Sequence, residues 1–262
     1  MSNNGLARGQ LKSWKKGDQG IYVKSLWGTE DSHYNTDIKG VVALANAIKN
    51  NGALASVNIL NNDIGAEQAQ NFVAILKEHP TLKSLCGNKG DETELDMSGK
   101  EIRAEGAIML APEIVANGAL VSVNLINNNI DAAQAPELAA LLQDHALLKS
   151  LCGNKGDETE LDMSGKKMGT DGAIMLASEI IANGAMTTLD ISDDGLGNEG
   201  SEAIAEALRE NKVMKNLNIS KNGAGSTCAQ ILADGVIANG ALTTLNASDN
   251  SMYAEGAKAI AA

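Results

Sequence analysis

The sequence predicts an α/β solenoid of horseshoe shape, with parallel strands on its concave face and helices on its convex face. The first observation is a repeat: the stretch LKSLCGNKGDETELDMSGK runs from Leu82 to Lys100 and returns unchanged from Leu148 to Lys166, 66 residues later. The second is that short strand patterns alternate with amphipathic helix patterns between these copies. Units that repeat in this way stack on their neighbours and share one continuous core.

The first 36 residues differ from the rest. Residues 1–36 begin with a polar stretch rich in Gly, Asn, Lys and Ser that has no clear period, which predicts an irregular N-terminal segment and a degenerate repeat that caps the solenoid. We predict that Trp14 and Trp27 cover the first repeat as a lid, and we include both among the candidate partner contacts. Regular repeats are predicted from 37 to 262.

Each predicted strand is short, and its side chains alternate between the core and the open face. Val57 and Ile59 are predicted to point inward, and Ser56 and Asn58 outward. An asparagine follows each regular strand, as at Asn62, and we expect its buried amide to bind backbone groups of the turn. Strands that are joined through helices must run parallel.

Each predicted helix has a narrow apolar stripe with the spacing i, i+3, i+4 and i+7. The first helix shows it at Val41, Leu44, Ala45 and Ile48. Asn-Gly pairs end four of the helices and predict glycine in the left-handed cap conformation at Gly52, Gly118, Gly184 and Gly240. The chain stops part-way into a predicted helix, so we expect that it continues further or that another surface covers that end.

Two insertions interrupt the regular spacing of the strands. Val57 and Leu85 are 28 residues apart, as are most neighbouring strands, but ten extra residues occur near 87–96 and again near 153–162. Lys100 and Lys166 stand where other repeats have the buried asparagine, and a buried lysine would need a partner. We therefore predict that these turns open and that the inserted loops protrude from one rim of the horseshoe as a ridge.

The pattern Leu120-x-x-Val123-x-Leu125-x-x-Asn128-x-Ile130, with its 28-residue spacing and full helix, resembles the ribonuclease-inhibitor-like class of leucine-rich repeats. The resemblance covers the chain from about Gly40 to its C-terminus. It implies a leucine-rich-repeat solenoid that serves as a protein-protein interaction scaffold or as a structural subunit of a larger assembly, without enzyme activity. Some members of this class regulate enzymes, as Ran-type GTPase-activating proteins or ribonuclease inhibitors do, and this is the alternative function.

Composition and motifs exclude several other classes. The formal net charge of -12 argues against nucleic-acid binding. The three cysteines lack a C-x-x-C spacing and do not indicate a disulfide framework. No apolar run has the length of a signal peptide or membrane span, so a cytoplasmic protein is expected. The scattered His33, His79 and His145 indicate no catalytic group, and no cofactor or metal site is predicted.

The candidate partner-binding residues are acidic and concentrate at the insertions. Their spacing matches no calcium loop, and acidic runs are most often only solvated surface. If they do bind a ligand, a basic protein partner is favoured. The residues are Asp91, Glu92, Glu94 and Asp96, their copies Asp157, Glu158, Glu160 and Asp162, and Asp190, which continues the acidic character along the open face.

Overall fold

A computed structural model describes residues 14–17, 20–23 and 39–261. Within them, short strands alternate with helices, as the sequence predicts, and the fold is mixed α/β. The helices are α1 (Lys39–Lys49), α2 (Gly65–Glu78), α3 (Arg103–Ala116), α4 (Ala135–Asp144), α5 (Gly169–Ala182), α6 (Gly197–Glu210), α7 (Ser226–Asn239) and α8 (Tyr253–Ala261). The strands are β1 (Trp14–Gly17), β2 (Gly20–Val23), β3 (Val57–Asn58), β4 (Glu94–Asp96), β5 (Ser122–Asn124), β6 (Glu160–Asp162), β7 (Thr188–Asp190), β8 (Asn216–Asn218) and β9 (Thr244–Asn246).

The chain forms two compact units. Unit 1 contains residues 1–92 and 101–118, and unit 2 contains residues 93–100 and 119–262. In unit 1, β1 and β2 pair antiparallel, and β2 pairs parallel with β3. Two strands therefore lie in the segment for which the sequence predicts an irregular conformation. The lid role proposed for Trp27 and for the side chain of Trp14 lies outside the described residues.

Unit 2 contains two parallel sheets. β4 pairs with β5, and β6, β7, β8 and β9 follow one another in a four-stranded sheet. The central residues of the four strands are in register, so that Leu161, Leu189, Leu217 and Leu245 form one row. Parallel strands in sequence order are the pairing that the strand–helix–strand pattern predicts.

The core lies between the inward faces of the strands and the apolar stripes of the helices. Leu189 and Ile191 are buried, and so are Leu176 and Ile180 of α5. In β5, β7 and β8, the central residue is buried and its two neighbours are partly exposed. The predicted alternation of inward and outward side chains is thus confirmed in these strands.

A ladder of buried asparagines holds the turns that follow the strands. The amide of Asn222 donates to the carbonyls of Ile191 (2.7 Å) and Ile219 (3.2 Å), and its oxygen accepts the backbone N–H of Asp194 (3.0 Å). Asn128 makes the equivalent contacts, including one from the backbone N–H of Lys100 (2.8 Å). Each asparagine therefore joins its own turn to the turn of the preceding repeat, which confirms the predicted role.

Two turn and cap predictions need correction. Of the four Asn-Gly helix ends, only Gly240 has the left-handed conformation (φ 69°), and Gly52, Gly118 and Gly184 do not. At these ends the asparagine side chain provides contacts instead: the amide of Asn183, for example, donates to the carbonyl of Glu158 (2.9 Å). Lys100 and Lys166 are exposed, but the turn at Lys100 is not open, since its N–H is bonded to Asn128.

Asp194 is the exception in the asparagine ladder. It occupies the asparagine position of its repeat and is only 2% exposed. Its Oδ1 accepts the backbone N–H of Met168 (3.3 Å), whereas Oδ2 has no hydrogen-bond partner within the described residues. Burial raises the pKa of Asp194 to about 6, because a buried carboxylate with few donors favours the protonated form.

We expect the stability of the protein to fall as the pH rises through the pKa of Asp194. The folded chain keeps this proton up to about pH 6, whereas an unfolded aspartate releases it near about pH 4. The free energy of unfolding therefore decreases between these two values. Asp194→Asn should make the decrease smaller, and Glu113 and Glu179, whose pKa values burial also raises, contribute to the rest of it. The variant should raise the Tm by a few degrees at neutral pH, because an amide can donate to the turn carbonyls as Asn222 does.

Thermal unfolding from about pH 4 to about pH 8 checks this expectation. The control is Asp193→Asn, a change at an exposed neighbour whose left-handed backbone (φ 60°) asparagine tolerates. The control should keep the decrease. A decrease of unchanged size in Asp194→Asn would show that other groups cause it.

Candidate functional site

The sheets of unit 2 are interrupted at the second inserted loop. Ser150 forms a parallel bridge to Ser122 of β5, and β6 begins a new sheet with β7. The loop 153–159 that joins the two segments contains no helix. The edge of segment 150–152 therefore has no neighbouring strand, and its backbone groups need other partners.

Glu179 of α5 provides those partners. Its Oε1 accepts the backbone N–H groups of Leu151 (2.6 Å) and Cys152 (3.0 Å). The hydroxyl of Ser150 lies 3.2 Å from both carboxylate oxygens, and the amide of Asn154 donates to Oε2. One buried carboxylate thus takes the place of a strand at this edge.

Unit 1 contains the same arrangement at the first insertion. The carboxylate of Glu113 in α3 accepts the N–H groups of Leu85 (2.6 Å) and Cys86 (3.1 Å). The hydroxyl of Ser84 (2.7 Å) and the amide of Asn88 (2.9 Å) donate to its second oxygen. The two copies of the repeated stretch therefore fold in the same way around a glutamate that lies outside each copy.

A second acid of α5, Asp171, supports the interruption in unit 2. Its Oδ2 accepts the backbone N–H of Ile130 (2.9 Å) in the turn that follows β5. In a regular repeat the next asparagine makes this contact, as Asn250 does for the N–H of Ala224 (3.1 Å). At the interruption, Asp171 thus takes the place of the asparagine of the next turn, and Glu179 takes the place of the next strand.

Burial sets the protonation of the groups around these acids. It raises the pKa of Glu179 and of Glu113, and the donated hydrogen bonds act in the opposite direction. Burial also raises the pKa of the Cys86 and Cys152 thiols, and the nearby glutamates add to this effect. Both cysteines are free and buried, so neither is a reactive thiolate at neutral pH.

Most of the predicted partner-binding acids lie at the surface. Unit 2 brings five of them to its strands: Glu94 and Asp96 on β4, Glu160 and Asp162 on β6, and Asp190 on β7. All are exposed except Asp190, which is half-buried, with Oδ1 accepting from Ser192 and Oδ2 from Asn218. Asp162 and Asp190 are cross-strand neighbours. The exposed loop residues are Asp91 in unit 1 and Asp157 in unit 2.

Hydrogen bonds keep two of the exposed acids charged. The hydroxyl and the backbone N–H of Ser98 donate to Asp96 (2.7 and 3.0 Å), and Ser164 makes the same two contacts with Asp162. These bonds hold the pKa of Asp96 and of Asp162 below the usual range of an aspartate. Both carboxylates are therefore ionised throughout the physiological pH range.

Glu92 and Glu158 have a structural role that the sequence analysis did not foresee. The carboxylate of Glu92 accepts the N–H groups of Lys89 (2.7 Å) and Gly90 (2.8 Å) in its own loop. Glu158 accepts only the N–H of Lys155 (2.6 Å), because the N–H of Gly156 donates to Asn154 instead. The Oε2 atom of Glu158 is consequently buried without a hydrogen-bond partner among the described residues.

A cleft of about 560 Å³ lies at the interruption in unit 2. Asn124 and Asn154 line one part of it, Leu161 and Asp162 line another, and Glu158 and Lys166 are also among the lining residues. Leu161, the central residue of β6, is half-buried, unlike the fully buried Leu189 beside it. The missing strand thus leaves a polar cavity with a limited apolar surface.

His79 and His145 occupy structural positions, and His33 lies outside the described residues. Nδ1 of His79 accepts the backbone N–H of Leu82 (2.9 Å), and Nδ1 of His145 accepts that of Leu148 (2.9 Å). In the described part of the chain, no group of three or more His, Cys, Asp or Glu side chains could hold a metal ion. Across the same residues, no helix has the length and apolar composition needed to cross a membrane.

Comparisons with known proteins do not assign this chain to a family. No model of a known protein family matches this sequence, and no curated protein matches it either. The fold, a mixed α/β arrangement of repeated strand–helix units, and the residues at the interruption are therefore the basis of the functional argument.

Sequence reasoning missed Glu113 and Glu179. Each lies three residues after a buried leucine of its helix stripe, Leu110 or Leu176, which places the carboxylate on the buried side of the helix. Their spacing of 66 residues matches the period of the repeat. A charged residue on the apolar side of two equivalent helices was the available signal.

Replacement of Glu179 by alanine should destabilise the protein strongly. The change leaves three donors without a partner at a site that is 2% exposed in the wild type, namely those of Ser150, Leu151 and Asn154. The N–H of Cys152 keeps its second acceptor, the hydroxyl of Ser150. Since each unpaired buried donor costs about 1–3 kcal/mol, we expect the free energy of unfolding to fall by about 3 kcal/mol or more. Urea denaturation measures it, with Glu210→Ala at the exposed end of α6 as control. Equal stability of the two variants would contradict the role of Glu179.

The turn that follows segment 150–152 requires glycine. Gly153 has φ 80°, and a Cβ atom there would lie 2.8 Å from the Cβ atom of Asn124. Gly153→Ala should therefore lower the free energy of unfolding by about 1–2 kcal/mol. Gly184→Ala is the matched control, because Gly184 has neither a left-handed backbone nor any atom within 4 Å of its virtual Cβ. Chemical denaturation compares the two, and a similar effect of both changes would count against this account.

Proposed function

We propose that the chain is a leucine-rich-repeat solenoid of horseshoe shape, in the ribonuclease-inhibitor-like class, that acts as a non-enzymatic scaffold for protein-protein interaction or as a structural subunit of a larger assembly. The repeated strand, asparagine turn and helix support the class, because each asparagine bonds to the preceding repeat in the way that stacked repeats require. The acidic ridge on one rim of the horseshoe stays a prediction.

The observation that carries the interaction proposal is the charge on the strands of unit 2. Glu94, Asp96, Glu160 and Asp162 are exposed, and no salt bridge in the described part of the chain includes any of them. Charges left unpaired on an ordered face favour a partner with complementary charge, and they speed its association. A basic protein surface is therefore the partner that we propose.

The remaining outward side chains of the strands are small and polar. In unit 2 they include Ser122, Asn124, Thr188, Asn216 and Asn218, and strands β4 to β9 contain no aromatic anchor of the kind found in tight apolar interfaces. An interaction on this face would depend mainly on charge and hydrogen bonds. We expect it to weaken as the salt concentration rises.

Two further observations support a non-enzymatic protein of a reducing compartment. His79 and His145 bind backbone groups, and burial keeps the thiols of Cys86 and Cys152 in their neutral form. The three cysteines, Cys86, Cys152 and Cys228, are all unpaired. Free buried thiols are typical of cytoplasmic proteins, and we propose the cytoplasm as the location.

Inhibition of a basic enzyme is the second candidate function, because the same acidic face would suit it. Activation of a GTPase in the manner of the Ran-type proteins has less support. Arg103 lies in a salt bridge with Asp63, and Arg209 contacts Glu206 and Asp234. Neither arginine lies on a strand, from which it could reach a substrate on the open face.

The test compares the tagged full chain with two double variants in a pull-down from the source cell. Glu94→Gln with Glu160→Gln removes two charges from the strands, and Glu137→Gln with Glu210→Gln removes two exposed charges from helices. We expect the strand variant to retain about tenfold less of the bound partner, and the helix variant to retain as much as the wild type. Glu92 and Glu158 stay unchanged because they hold their loops.

Two results would contradict the proposal. One is that wild type and both variants retain the same proteins equally. The other is that the wild type retains none above background at low salt, where an interaction based on charge is strongest.

A further inference from the structure

The strand β6 has an open edge. The backbone N–H of Met163 donates to the carbonyl of Asp190 in β7 (2.8 Å). Backbone groups of successive residues in a parallel strand point to opposite sides, so those of Glu160 and Asp162 point away from β7. Among the described residues no strand pairs with β6 on that side. Two N–H groups and two carbonyls are therefore directed at the interruption.

The facing segment of unit 2 cannot pair with this edge. The N–H of Leu151 donates to Glu179, and the N–H of Cys152 donates to Glu179 and to the hydroxyl of Ser150. These groups are therefore not available to β6, and the two sheets of unit 2 stay separate. The open edge of β6 is thus a fixed feature of the fold, and it can accept a strand from another molecule.

The cleft beside this edge has room for a short length of chain. Its volume of about 560 Å³ lies within the usual range of about 300–1,000 Å³ for ligand sites. Asn124 and Asn154 offer polar contacts, and the half-buried Leu161 offers an apolar one. This combination suits an extended backbone with small or β-branched side chains.

The charges that line the cleft indicate which side chains a bound segment would carry. Glu158 and Asp162 line the cleft with two carboxylates, and Lys166 is the single cation among its lining side chains. Asp162 is exposed, and its low pKa keeps it ionised. A lysine or arginine of the ligand would be attracted to this excess of negative charge.

We infer that the open edge of β6, with the cleft beside it, binds an extended peptide segment of a partner by strand addition and holds a basic side chain of that segment against Glu158 and Asp162. The inference rests on the proposed function, since it states the form in which the basic partner is recognised. Backbone hydrogen bonds would supply the affinity, and the carboxylates would supply the preference for a basic residue.

The experiment titrates the full chain with two probes, the capped peptide TKVKVT and the same peptide with N-methyl groups on alternate amides. Both have the same charge, but the second cannot complete a ladder of hydrogen bonds. We expect the N-methylated probe to bind about tenfold more weakly, as measured by calorimetry. The unmodified peptide should also slow hydrogen exchange at the amides of Glu160 and Asp162.

Variants of β6 provide the matched test on the protein side. Glu160→Pro removes a backbone N–H that points away from β7. Glu160 is the first residue of β6, and proline is tolerated at the first position of a strand. Glu160→Gln removes the same charge and keeps the N–H. We expect Glu160→Pro to weaken binding of the unmodified peptide about tenfold and Glu160→Gln to weaken it by less than about threefold. Should the proline variant fail to fold, the N-methylated probe alone decides.

Three results would overturn the inference. Equal binding of both probes would show attraction by charge alone. If the peptide does not bind at about 1 mM while the pull-down retains a partner, strand addition is ruled out and the proposed function is unaffected. Concentration-dependent dimerisation that Glu160→Pro abolishes would assign the edge to a second copy of the chain. A pull-down that retains nothing, together with peptide binding, would instead contradict the proposed function.

Discussion

The structure depends on how the edge of an interrupted sheet is satisfied. A strand edge without a neighbour leaves backbone donors that must find partners. Glu179 meets this requirement for Leu151 and Cys152, and Glu113 meets it for the equivalent pair in unit 1. The buried carboxylate thus allows one sheet to end and the next to begin. The loop, the cleft and the open edge of β6 all follow from this interruption.

The identity of the two repeated stretches has a partial physical explanation. Ser84 and Asn88 bind Glu113, and their copies Ser150 and Asn154 bind Glu179. The conformation of Gly153 disfavours any residue with a Cβ atom. These serine, asparagine and glycine positions of the repeat are therefore determined by the same buried network. The contacts of Asp96 and Asp162 with Ser98 and Ser164 explain the repetition of these two acids. Among the described residues no hydrogen bond or salt bridge involves the side chain of Glu94 or Glu160, and we propose these two for a partner.

Much of the fold follows from periodicity, and the interruption does not. The alternation of strands and helices and the inward positions of Val123 and Leu189 come from simple hydrophobic patterns. The asparagine ladder follows from one polar residue at a fixed place in each repeat. Glu179 could not be placed in this way, because a glutamate in a helix is normally solvent-exposed, and its partners lie 25 to 29 residues away in the sequence.

The sequence predicted the exposed strand residues of the candidate site but not the conformation of its loop. Glu160 and Asp162 are exposed as the strand period requires. Glu158, two residues before the strand, turns into its own loop and accepts the backbone N–H of Lys155. Local hydrogen bonds of this kind depend on the loop conformation, which periodicity does not determine.

Amide hydrogen exchange at Leu151 tests the central claim most directly. In Glu179→Ala, the account predicts that this amide loses its protection, whereas the amide of Leu85, which Glu113 still binds, keeps its protection within the same molecule. Unchanged protection of Leu151 in this variant would contradict the claim that the buried carboxylate ends the sheet.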